Sequence, residues 1–284
     1  MPVSDVVKLC PECEGRGWIV SPDGGAGTAR PCSCRLQGLA ARRFAAAGLP
    51  ERYAHCRLAN FLVSSPAAAE RDQLTRARAA AQSYVDGFIE TDGSDPEGGG
   101  RFRESGLLFV GPAGAGKTHL AVAVLAELVE RYKLRARFAE FTSLVYQIQA
   151  TFDPGTPGSQ HEVLGPLLDA ELLLLDELGA HQPTPWIRDV LYYLVNQRYL
   201  RRRPTLFTTN YRLERPAPRP QRGADRSLDR GRDPAGTEVV DEAGLLATRI
   251  SAPLVSRLYE MAQPVDLSGV GDFRRDHKAA RARV

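Results

Sequence analysis

Eight consecutive residues, Gly111-Pro112-Ala113-Gly114-Ala115-Gly116-Lys117-Thr118, carry three glycines, a lysine and a hydroxyl at the spacing Gly-x4-Gly-Lys-[Ser/Thr]. The chemistry of that spacing is phosphate binding. The glycines let the backbone adopt conformations closed to other residues and bring its N–H groups against phosphate oxygens. Those amides form an anion nest, capped by the positive end of the helix that follows. Lys117 sets a point charge at the β- and γ-phosphates, and the Thr118 hydroxyl is a hard ligand for Mg²⁺. A glycine-rich turn with only structural duty has no use for the lysine, so all eight residues are expected to bind ATP.

Further along, Leu172-Leu173-Leu174-Leu175 delivers Asp176 and Glu177 at the end of an apolar run. Ligand chemistry in open α/β sheets sits at that end of a strand. Asp176 is expected to hold Mg²⁺ with Thr118, and Glu177 to polarise the attacking water. A small-molecule kinase needs the first carboxylate and gains nothing from the second, so the pair favours hydrolysis. The run Pro204–Thr209 ends in Thr208-Thr209-Asn210, where an amide can bond that water and sense the γ-phosphate; asparagine is also a common turn residue. Arg249 and Arg257 are eight residues apart, about two helical turns. Either is a candidate for the extra cation such hydrolases need, often supplied by a neighbouring subunit, or a solvated position on a helix face.

Cys10-Pro11-Glu12-Cys13 and Cys32-Ser33-Cys34 are separated by eighteen residues that include Trp18-Ile19-Val20 and a Ser-Pro-Asp-Gly-Gly turn. Two short thiolate-bearing turns bridged by a hairpin read as a zinc ribbon, with Cys10, Cys13, Cys32 and Cys34 as four soft ligands of structural Zn²⁺. Disulfides are the alternative, and no export signal supports them. Cys56 stands apart and reads as a buried apolar residue.

The elements that must position these groups alternate as a parallel sheet with crossover helices requires. Leu107–Val110, Arg135–Glu140, Leu172–Leu175, Pro204–Thr209 and Pro264–Leu267 read as strands. His119–Arg131, Thr142–Phe152, Pro185–Arg201 and about Gly244–Met261 read as helices. The helix from Pro185 puts Ile187, Val190, Leu191, Leu194 and Val195 on one stripe. An earlier helix, capped near Ser65-Pro66, carries Leu74, Ala81, Tyr84, Val85 and Phe88 on one face. Three parts are expected: a zinc ribbon over 1–45, a connector and helix over 46–105, and an ATPase domain over 106–284. Between 214 and 240 prolines, glycines and arginines replace periodicity, the pattern of a mobile insertion.

The 284 residues suffice for one α/β domain and a small module. With 43% hydrophobic and 25% charged residues the composition is that of an ordinary soluble protein. No run approaches the length of a membrane span and no signal-peptide pattern opens the chain, so no membrane association and a cytoplasmic location are expected. A net charge of +3 says little about nucleic acid. The arginine clusters at 212–232 and 274–283 are equally phosphate-seeking patches or solvated arms.

Taken in order, these motifs resemble the AAA+ helicase loaders of the DnaC/DnaI type and the related IstB-like transposition ATPases. The likeness runs from Cys10 to about residue 275. It includes Arg35, Arg52-Tyr53 to Asn60-Phe61, the phosphate loop, Asp176-Glu177, Asn196-Gln197-Arg198-Tyr199, Asn210, Ser256-Arg257-Leu258-Tyr259 and Gly271-Asp272-Phe273-Arg274. The resemblance implies an AAA+ P-loop fold without a full C-terminal lid, ATP-dependent self-association, a replicative DNA helicase as partner of the N-terminal module, and action on single-stranded DNA. By position it makes Arg257 the arginine finger, Arg249 a second arginine of that element, and Arg274 an arginine approaching the nucleotide within the same chain. It also places Gly179–Trp186 against DNA, with Thr184 bonding a phosphate and Trp186 stacking on a base. An adaptor ATPase for a transposase is the alternative; relatives with that role commonly lack the cysteine module.

Overall fold

The computed structural model describes residues 10–14, 16, 18–20, 29–32, 42–91, 100–153, 159–181, 184–213 and 244–275. Cys34, the 214–240 segment and the tail beyond Arg275 lie outside the described residues.

The body is a five-stranded sheet. Its strands are β5 (Gly106–Val110), β6 (Ala136–Glu140), β7 (Leu172–Asp176), β8 (Thr205–Thr209) and β9 (Ala262–Asp266), following two short hairpins, β1–β2 (Trp18–Val20 with Ala29–Pro31) and β3–β4 (Ile89–Thr91 with Gly100–Phe102). The sheet order is β6-β7-β8-β5-β9 and every pairing within it is parallel. Every residue of β5, β7 and β8 is buried. β5 and β7 are the near-continuous apolar runs that form central parallel strands covered on both faces, and β8 buries three threonines beside Leu206 and Phe207.

Alternation along each strand divides the core in two. Leu107, Phe109, Leu172, Leu174 and Leu206 face one layer, packed by helices α1 (Ala68–Asp86) and α2 (Lys117–Tyr132). Leu108, Val110, Leu173, Leu175 and Phe207 face the other, packed by α3 (Phe141–Ala150), α4 (Gln160–Asp169), α5 (Pro185–Leu200), α6 (Leu246–Ile250) and α7 (Ala252–Met261). Because side chains in a strand alternate with a period of two, one sheet serves both layers.

The structure departs from the sequence reading in three places. Helix α4 was not visible in the periodicity, since Pro166 lies inside it. A capping box starts it: the Ser159 hydroxyl accepts from the Glu162 N–H at 3.3 Å, and the Glu162 carboxylate accepts from the Ser159 N–H at 3.0 Å. The stretch after α1, for which the sequence offered no strand, contains the β3–β4 hairpin. The single helix expected over 244–261 is two: Ser251, at φ 105°, breaks the backbone between α6 and α7, and Pro253 opens the second. Arg249 and Arg257 therefore do not share one helix.

Arg198 on α5 is fully buried and ties the second layer to the sheet. Its guanidinium donates to the carbonyls of Leu167 (2.7 Å), Ala170 (2.9 Å) and Pro204 (2.8 Å) and to the Thr205 hydroxyl (2.8 Å). The carbonyls at the end of α4, which a helix leaves without intrahelical partners, are satisfied there.

Candidate nucleotide site

The phosphate loop leaves the C-terminal end of β5 and opens α2. Gly114 and Gly116 take φ of 82° and 92°, the left-handed region, and Gly116 caps the helix. A Cβ at Gly114 would stand 1.9 Å from Asp272 Oδ1, so the loop is closed to side chains there as well as strained. Lys117 follows as the first residue of α2 and is buried, its Nζ donating to the Pro112 carbonyl at 2.7 Å. Burial lowers its pKa to about 8, against the opposing pull of Asp176 and Glu177.

Asp176 ends β7 beside this loop. Its carboxylate accepts from the Thr118 hydroxyl (2.9 Å) and the Thr208 hydroxyl (2.6 Å). Burial raises its pKa, and the two hydroxyls oppose the shift. A hydroxyl and a carboxylate in contact next to a phosphate nest are the donor set that Mg²⁺ takes, so Thr118 and Asp176 fit that ion. Glu177 is exposed, held at φ 58°, with its N–H donating to Thr208 Oγ1 at 2.9 Å. That turn aims the side chain out of the sheet edge into the cavity. Partial loss of hydration and the neighbouring Asp176 and Glu140 raise its pKa, which suits a proton acceptor better than an ordinary surface carboxylate.

The cavity has a volume of about 770 Å³, within the range of cofactor sites. The phosphate loop, Glu177, Thr208, Asn210 and Arg274 line one part. Tyr53, Cys56, Asn60, Phe61 and His119 line the rest. The stretch 50–62, read from sequence as a connector, is therefore a wall of the site. Arg52-Tyr53 and Asn60-Phe61 were part of the family likeness, and that was the available signal.

Four predicted residues are placed elsewhere. Arg249 donates to the carbonyls of Gly179 (2.9 Å), Ala180 (3.3 Å) and His181 (3.3 Å) and lies over the Tyr211 ring. It braces the loop after the acidic pair rather than lining the cavity. Arg257 faces α5, bonded to Asn196 and to the Tyr192 hydroxyl, with its guanidinium over the Tyr192 and Tyr199 rings. Thr184 caps α5 by accepting from the Ile187 N–H at 3.3 Å. Trp186, two residues on, is half-buried against the second core layer with Phe152 edge-on at 5.6 Å.

Comparison with known proteins agrees with this geometry. Residues 102–217 match the family of IstB-like ATP binding proteins. That segment holds the phosphate loop, the acidic pair and Asn210. The chain is 27% identical over 174 residues to the replicative helicase loader DnaC of Escherichia coli, 61% of this chain and 62% of that protein. It is 23% identical over 190 residues to YqaM of Bacillus subtilis, 55% of that protein. The chain thus spans less than two thirds of these relatives. Over 109 residues it is 30% identical to the ATP-binding protein of insertion sequence IS5376 from Geobacillus stearothermophilus, covering 38% of this chain and 41% of that one. The crystal structure of the DnaC helicase loader superposes with a TM-score of 0.54 at 27% identity, over 76% of this chain and 99% of that one. The chain thus carries an ATP-binding P-loop domain with AAA+ architecture.

At the N-terminus, the β1–β2 hairpin brings Cys10, Cys13 and Cys32 together, their sulfurs within 4.8 Å of one another. The Cys10 and Cys32 sulfurs are 3.7 Å apart. Three converging thiols fit a soft metal ion such as Zn²⁺. Among the described residues no helix is long and apolar enough to cross a membrane.

Proposed function

We propose that this protein is a cytoplasmic ATPase that loads a replicative DNA helicase onto single-stranded DNA. The observation that carries the reading is one chain holding both a cavity lined by the phosphate loop and Glu177, next to Asp176, and a thiol cluster at its N-terminus. Likeness to DnaC in sequence and structure supports it.

In this mechanism the loop amides and Lys117 bind the β- and γ-phosphates, and Thr118 and Asp176 would hold Mg²⁺. When bound, that ion neutralises charge on the phosphates. Glu177 takes the proton of the attacking water, which Asn210 orients. Arg274 approaches the nucleotide from within the chain, while Arg257, directed away from its own cavity, serves the site of a neighbouring copy in an ATP-dependent oligomer. Arg249 passes the nucleotide state to the loop 179–184, whose Thr184 and Trp186 meet DNA. Cys10, Cys13, Cys32 and Cys34 hold one Zn²⁺ and form the helicase-binding module.

A second reading, an ATPase adaptor for a transposase, draws on the family match and on the insertion-sequence relative. A pull-down with the replicative helicase separates the two. The whole chain should retain the helicase and the chain without residues 1–45 should not. Retention by neither form, with ATP binding intact, would reject the loader and leave the adaptor.

A further inference from the structure

Apart from the N-terminal thiols, a second set of soft and borderline donors comes together. His55, Cys56 and His119 bring their donor atoms within 4.8 Å of one another. None of the three has a task in the phosphate chemistry above. We propose that they form a second zinc site, with two imidazoles, one thiolate and a fourth position open to water.

The site is built, not incidental. The turn that carries His55 and Cys56 is fixed by its own polar groups. The Arg57 guanidinium donates to the carbonyls of Ala54 (3.0 Å) and Cys56 (2.8 Å), and the Asn60 amide donates to the His55 carbonyl (2.7 Å). The same Arg57 reaches Glu130 on α2 at 3.0 Å, which ties the turn to the helix carrying His119.

The tautomer of His119 follows from this network. Asn60 Oδ1 accepts from the Arg57 N–H at 2.9 Å, and Nδ2 is the atom that donates to His55, so the amide cannot be flipped. His119 Nε2 lies 3.1 Å from the Arg57 carbonyl and 3.0 Å from Asn60 Oδ1, two acceptors. Nε2 therefore carries the hydrogen and Nδ1 the lone pair. An imidazole whose N–H is held by a carbonyl or amide oxygen is the usual state of a metal-binding histidine, because that bond fixes the ring and raises its basicity.

Burial also lowers the His119 pKa, which keeps the ring neutral at pH 7. Cys56 is buried and its thiol is pushed up to about 11, so without a cation it stays protonated. Binding would release that proton, as coordination of a thiol does.

Two nitrogens and one sulfur suit zinc, which takes Zn–N near 2.0–2.1 Å and Zn–S near 2.3 Å. Tetrahedral bonds of those lengths set donors about 3.3–3.6 Å apart. From separations of at most 4.8 Å the donors have little distance to close, and the exposed His55 side chain can supply the movement.

The test is metal stoichiometry of the whole chain without nucleotide, by equilibrium dialysis against Zn²⁺, with Co²⁺ as the spectroscopic probe of sulfur ligation. His55→Ala, Cys56→Ala and His119→Gln should each bind one equivalent fewer than the unsubstituted protein. Cys13→Ser should lose a different equivalent, and the Cys13→Ser, Cys56→Ala double variant both. His55→Ala changes an exposed residue and should keep its fold by circular dichroism while weakening this site by about 100-fold or more, beyond the roughly 10–100-fold that loss of a supporting hydrogen bond costs. If all three variants hold as much metal as the unsubstituted protein, or if a folded His55→Ala does, no such site exists. Failure of the Cys13→Ser arm alone would touch only the N-terminal module.

Discussion

Lys117 gives ATP binding a pH dependence whose size follows from its burial. Its pKa is about 8, lowered chiefly by loss of hydration. A bound polyphosphate favours the charged form and restores the pKa toward or beyond its ordinary value. Below pH 8 the free protein already holds the proton and affinity is flat. Above pH 8 binding must take a proton up, and affinity falls. The protonated fraction at a pKa of 8 is about nine tenths at pH 7 and about one tenth at pH 9, a ten-fold loss worth about 1.4 kcal/mol. Three other cavity groups move away from this window, all chiefly through burial: His119 downward, Tyr53 upward and Cys56 up to about 11. Folding stability should run the opposite way. Between pH 8 and 10.5 the unfolded chain binds a proton that the folded chain has released, so stability of the unliganded protein rises across that interval. The assay is calorimetric titration with a non-hydrolysable ATP analogue from pH 7.5 to 9.5, in buffers of different ionisation enthalpy so that proton uptake is counted directly. Lys117→Arg is the control, because a guanidinium does not titrate there. Equal affinity across the range, or the same slope in Lys117→Arg, would refute the reasoning.

Four further outcomes are expected. Glu177→Gln should bind ATP at the normal affinity and hydrolyse it about 10²–10⁴-fold more slowly, the contribution of a positioned general base, in a steady-state phosphate-release assay. Arg257→Ala mixed with Lys117→Ala should recover hydrolysis that neither shows alone, since one supplies an intact pocket and the other an intact finger; no recovery in proven co-assemblies would count against a shared site. Arg198→Met should lower unfolding free energy by about 3–5 kcal/mol in urea, because three buried carbonyls lose their donor together. Trp186→Ala should weaken single-stranded DNA binding about ten-fold, the low end of base stacking, in a fluorescence anisotropy titration at fixed salt; unchanged DNA affinity with earlier melting would make the residue purely a core contact.

The parts of the site that sequence exposed are those whose chemistry is local. A phosphate loop needs its glycines, lysine and threonine within eight residues, so spacing alone reveals it. Asp176 and Glu177 follow four leucines, and the sheet edge they cap is implied by the strand itself. Parallel order was legible because β5 and β7 are apolar on both faces, and each leads into a helical stripe. What escaped depends on contacts between distant segments. The stretch 50–62 has no periodicity of its own, yet the Arg57–Glu130 pair and the His119 contacts draw it onto α2, where it walls the cavity.

The arginines show the same limit in sharper form. Arg249 and Arg257 are alike in sequence, both on helical residues ahead of the last strand. A single residue, Ser251 with its positive φ, separates their fates. Before it, Arg249 is committed to three carbonyls of its own chain, so its loss should first loosen the loop 179–181. After it, Arg257 rests on tyrosine rings and an amide at a surface of α5, partners that a phosphate on another subunit could outcompete, because none of them carries a full negative charge. The preference for Arg257 over Arg249 as the finger thus rests on placement: Arg249 is spent on three carbonyls of its own chain, whereas Arg257 is held by side chains on the surface of α5.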